Sequence, residues 1–170
     1  MIRLTNARLA GVMFLFYIVT SITRMVLFGA GTAAGPASIA QDVSIVRLTT
    51  VFMLLMISAS LSLAVALYAL TRDCDADVAV MALSAWIAEA AINTVATVAM
   101  LVLLWVATGA ARAIGADAVA ANALGILLLK MRGWSAIAGA TEFVIGSALY
   151  SYLLLRARNI RLMIEGVAAQ

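Results

Sequence analysis

Thirty consecutive residues, Val78 to Ala107, carry a single charge, Glu89. A helix rises about 1.5 Å per residue, so a run of that length exceeds a hydrocarbon core of about 30 Å. Glu89 falls near its middle. Trp86, Glu89, Asn93 and Thr97 are spaced three, four and four residues apart, which puts them on one stripe of a helix. An ionisable group at that depth costs several kcal/mol unless something pairs with it or water reaches it. The rest of the chain has to supply that partner, and this requirement constrains the fold more than any other feature.

The composition agrees with a membrane location. Of 170 residues, 66% are hydrophobic and 11% charged, against about 45–50% apolar in a soluble globular chain. Ten of the eleven basic residues are arginine, and the formal charge is +3. No basic run is interleaved with aromatics, so nucleic acid is not an expected partner. Cys74 is the only cysteine, which excludes an intramolecular disulfide and a CxxC redox motif. Histidine is absent altogether. That removes His-ligated haem, His-liganded metals and every catalytic set built on imidazole, and no other residues point to a cofactor.

Four apolar runs predict an all-α membrane protein, a single domain of four transmembrane helices with one interfacial helix. The first span is expected at about 9–31, read as retained and not cleaved, with Arg24 inside it. Gly35-Pro36 marks a turn, and Ser38 is a candidate cap for a short helix running to Asp42. The second span is expected at 45–71. Its Ser58 and Ser62 are one turn apart, a small-residue pair that suits a packing face. Arg72-Asp73-Cys74-Asp75-Ala76-Asp77 reads as a tight polar turn that caps the third span, 78–107; the glycine and glutamate of a calcium-binding loop are missing. Residues 117–131 read as a surface helix, with Lys130 and Arg132 at the headgroups and Trp134 as an interfacial anchor. The fourth span follows at 134–155. Basic residues in the connections number six on the N-terminal side and four on the other, which predicts both termini in the cytoplasm.

Two further charges lie within spans, Arg24 in the first and Glu142 in the fourth. At about 1.5 Å per residue their depths agree to within a few ångström. An ion-paired clasp between them is therefore expected, with Arg47 able to join from the start of the second span. Ser135, Gly139, Glu142, Gly146 and Tyr150 form a stripe of small and polar residues, the kind of face that meets protein and not lipid. It is expected to face the stripe of Glu89. Glu89, Glu142, Arg24, Arg47, Asn93 and Trp86 are thus the candidates for a ligand site or an ion pair, and no residue is a catalytic or metal-binding candidate.

Several short patterns recur in order along the chain: Ala7-Arg8-Leu9-Ala10-Gly11, Val46-Arg47-Leu48, LAVALYAL at 63–70, Glu89-Ala90-Ala91 and SYLLLRAR at 151–158. Together they resemble a family of bacterial multi-pass inner-membrane proteins classed as a domain of unknown function. The resemblance implies a location and supplies no activity. Two departures stand out. The family usually has an arginine three residues before the glutamate of the third span, where this chain has Trp86. It also tends to continue through a proline-marked turn into further hydrophobic helix, where this sequence has Arg161 and ends.

These features predict a non-enzymatic protein that acts by binding, as an accessory subunit of a membrane complex or as a binder of lipid or another small lipophilic ligand. Its expected partners are membrane lipids, other integral subunits or further copies of itself. The alternative is a small transporter or channel component that uses Glu89 and Glu142.

Overall fold

The computed structural model describes the backbone of residues 2–32, 43–110 and 115–168, and side chains over 8–23, 25–26, 43–109 and 115–157. The described residues form four helices and no strand: α1 (Ile2–Thr32), α2 (Val43–Thr71), α3 (Ala76–Ala110) and α4 (Ala116–Ala168). Residues 38–42, where a short helix was expected, lie outside the described set. α2, α3 and the Ala116–Ala157 stretch of α4 are each long and apolar enough to cross a membrane, and the apolar part of α1 found among the described residues, Arg8–Thr23, is shorter. Leu15, Val65, Trp105, Leu127 and Leu155 point outward and are more than half exposed. Such faces suit lipid and would be a liability in water.

One expectation needs correcting. The sequence reading placed a separate interfacial helix over 117–131 and opened a new span at Trp134, but α4 runs unbroken through Gly133 and Trp134 for 53 residues. At about 1.5 Å per residue it is roughly 80 Å long. Glycine costs a helix only about 1 kcal/mol, and contacts on both sides of Gly133 hold the helix in line. Leu128 and Leu129 pack on Met100, Leu103, Leu104 and Ala107 of α3, while Tyr150 and Leu153 pack further along the same hairpin.

The α3–α4 hairpin keeps a constant antiparallel register. Gly139 lies beside Asn93 and Ile92, and Gly146, seven residues on, lies against Trp86, seven residues back from Asn93, and the carbonyl of Ala82. The smallness of these glycines brings the two polar stripes together as expected. At the turn, Asp75 accepts a bond from the Val78 amide through Oδ1, the anticipated cap, and pairs through Oδ2 with Arg156 at 2.8 Å. At the other end of the hairpin, Gly115 takes a left-handed φ of 68° just before α4 begins.

α1 packs on α2, α2 on α3 and α3 on α4; among the described residues α1 has no close backbone contact with α3 or α4. The apolar core is split. One cluster gathers Leu63, Ala64, Ala82, Trp86, Tyr150 and Leu153, and the other Val46, Met100, Leu103, Leu104 and Ala107. The seam beside α1 and the layer between these clusters hold the candidate site.

Candidate functional site

Most buried hydroxyls in the bundle are satisfied within their own helix. Thr20, Thr49, Thr50, Thr71 and Thr97 each donate to the carbonyl four residues back, at 2.7–2.9 Å. Ser60 and Glu89 differ. Both are buried, at 0% and 3% exposure, and the Ser60 hydroxyl donates across the α2–α3 interface to Glu89 Oε2 at 2.8 Å. Asn93, one turn along α3, donates its amide to Oε1 at 2.7 Å, and Tyr17 of α1 reaches the same oxygen at 3.5 Å. Three helices therefore supply donors to one carboxyl group, which is how so polar a side chain is tolerated in an apolar interior.

Ser60 was missed in the sequence reading, which singled out Ser58 and Ser62. Those two are exposed and bond to carbonyls of their own helix. Serines two residues apart lie on opposite sides of a helix, so only one of the two sets could face inward. The buried stripe of α2 runs through Val46, Thr49, Met53, Met56, Ser60 and Leu63. Spacing from Met53 and Met56 was the available signal, but α2 is apolar all round and nothing in it marks which face turns in.

Trp86, on the same stripe as Glu89, is 2% exposed. Its ring lies 5.3 Å from that of Phe143 and 6.1 Å from that of Tyr17, while Tyr17 and Phe143 stack at 5.5 Å with planes 11° apart. Tyr150 closes the group and donates its hydroxyl to the Ala64 carbonyl at 3.0 Å. These rings form an aromatic layer just below Glu89 on the side of the α2–α3 turn.

Above that layer is a half-open cleft of about 300 Å³ to which all four helices contribute. Its polar lining is Tyr17, Ser21, Glu89, Asn93 and Arg132, and Met53, Met56 and Phe143 are among its apolar walls. Arg132 is the second correction. It was expected at the headgroups with Lys130, yet it is half-buried and lines the cleft with Glu89, whereas Lys130 is exposed. Two residues along a helix turn a side chain by about 200°, so neighbours this close face different surroundings. Trp134 is 73% exposed.

The remaining candidates stand apart from the cleft lining. Glu142 is half-buried and has no hydrogen-bond or ion-pair partner among the described residues. Arg47 is exposed near the start of α2. The side chain of Arg24, and with it the expected clasp to Glu142, lies outside the described residues. Among the described residues no group of acidic, cysteine or histidine side chains is placed to hold a metal ion.

No curated protein and no solved structure matches the chain. Residues 9–164 match the Domain of unknown function (DUF4386). The match takes in every residue of the cleft and nearly all of the four helices, and the chain belongs to that family.

Proposed function

We propose that the protein binds a small lipophilic molecule in the membrane, holding its polar end in the cleft at Glu89 and Asn93, and that it performs no chemistry on it. The observation that carries this reading is the cleft itself. It lies at the level of the one charge in a thirty-residue apolar run, and it combines a carboxylate, an amide and a guanidinium with methionine and phenylalanine walls. A concave site in which a few polar groups converge between apolar walls is the usual form of a small-molecule site. Binding is favoured over catalysis because the chain has no histidine and its one cysteine, Cys74, lies in the α2–α3 turn and not in the cleft lining. A relay through Glu89 and Glu142 has less support, since Glu142 does not line the cleft. We further place the protein in a bacterial inner membrane with both termini cytoplasmic, on the strength of the family resemblance and the basic-residue bias.

Native mass spectrometry of protein taken from its own membrane in mild detergent tests the proposal. A lipophilic adduct should accompany the wild-type chain and be lost from Ala140→Phe, which fills the cleft from α4. A chain free of any adduct would count against binding. Ion flux in proteoliposomes that vanishes with Glu89→Gln and Glu142→Gln would favour transport instead.

A further inference from the structure

The cleft has a neighbour on the other side of the aromatic layer. A groove of about 290 Å³ is lined by Gly11 and Phe14 of α1, Leu67 of α2, Trp86 of α3, and Ser147 and Leu154 of α4. Cleft and groove are both bordered by α1 and by the α3–α4 hairpin, along the seam where α1 makes no close backbone contact with that hairpin. Tyr17 and Phe143 border the cleft, Trp86 borders the groove, and the three rings pack on one another. From Arg132 in the cleft to Leu154 in the groove, α4 rises about 33 Å, close to the thickness of a hydrocarbon core.

Resting on the proposed function, we infer that the groove takes the hydrocarbon chain of the same ligand, and that this ligand is a single-chain amphiphile with an uncharged polar head. The cleft supplies polar atoms and the groove is predominantly apolar, as the two ends of such a molecule require. The groove's volume is at the small end for a ligand pocket, which suits one chain and not the two of a bilayer phospholipid. The head follows from charge. Glu89 and Arg132 bring opposite formal charges to one lining, so a charged head of either sign would face a like charge there, whereas hydroxyls or an ester need only hydrogen-bond partners such as Asn93 and Ser21. A ligand that spans cleft and groove needs the Tyr17–Phe143 stack to part, and among the described residues α1 and α4 have no close backbone contact.

The protein carries its own reporter. Of its three tryptophans, Trp105 and Trp134 are 77% and 73% exposed, and Trp86 borders the groove. In a Trp105→Phe, Trp134→Phe background, a monoacylglycerol brominated at mid-chain should raise the melting temperature and quench Trp86 saturably. Gly11→Leu should abolish the quenching, because a Cβ at Gly11 meets open space and the added side chain enters the groove without displacing protein. Ala140→Phe should abolish both effects. A melting shift that is lost in Ala140→Phe yet comes without saturable quenching would overturn the groove assignment and leave the proposed function standing. Quenching unaltered by Gly11→Leu would overturn the groove assignment too. Tighter binding of oleate than of the monoacylglycerol would overturn the uncharged head. No shift with either probe would overturn this inference together with the proposed function.

Discussion

The decisive residue is Glu89, and Ser60 is its least obvious partner. Hydrogen bonds between helices in a membrane contribute about 0.6 kcal/mol on average and up to about 1.7. A bond from a fully buried serine to a carboxylate belongs at the upper end. Ser60→Ala should therefore destabilise the fold by about 1–2 kcal/mol in mixed-micelle unfolding. With Glu89→Leu already present, the same change should cost clearly less, since the acceptor is gone. Equal costs in both backgrounds would show that the Ser60–Glu89 bond contributes nothing. Trp86 packs among Tyr17, Phe143 and Tyr150. Donors from α1, α2 and α3 serve the carboxylate in that arrangement.

At the scale of the element, α4 is held to α3 by small residues in a fixed register, and its glycines are not equivalent. A Cβ at Gly146 would collide with the Trp86 ring and crowd the Ala82 carbonyl. Gly146→Ala should then cost about 1–3 kcal/mol, the range for overpacking. A Cβ at Gly139 would meet Asn93 and Ile92 at ordinary contact distances of 3.7 Å, so Gly139→Ala should be mild. Gly133 has nothing within 4 Å and sits inside the continuous helix. Gly133→Ala should stabilise the protein by about 0.5–1 kcal/mol through a less flexible unfolded chain and better helix propensity. Thermal unfolding of the three variants in one detergent gives the order, and a destabilised Gly133→Ala would mean that the chain needs a break there.

For the whole molecule, orientation is the outstanding physical prediction. Six basic residues on the side of the termini against four on the other, or three once Arg132 is placed in the cleft, predict that the α2–α3 turn is cytoplasmic. Cys74, half-buried in that turn and the only cysteine, is the natural label. A membrane-impermeant maleimide should modify it in permeabilised cells and not in intact spheroplasts. Ready labelling of intact spheroplasts would invert the topology, although the Asp75–Arg156 pair that holds the turn to α4 would be unaffected.

What the sequence determined by itself was whatever is local and additive. Helicity, the capped turn at Asp75, the membrane class and the cost attached to Glu89 all follow from sums over neighbouring residues. The stripe of Gly139 and Gly146, seven residues apart on α4, was legible too, because small residues against a tryptophan stripe leave few ways to pack. Tertiary structure alone decided which face of the uniformly apolar α2 turned inward, and so chose Ser60 over Ser58 and Ser62. It also carried α4 through Gly133, through contacts with α3 that no local propensity contains, and brought Arg132 into the cleft. The physical reason is common to all three. In a chain that is apolar on every side, hydrophobicity places helices in the membrane but does not orient them, and orientation comes from long-range packing of small residues and pairing of the few buried polar atoms.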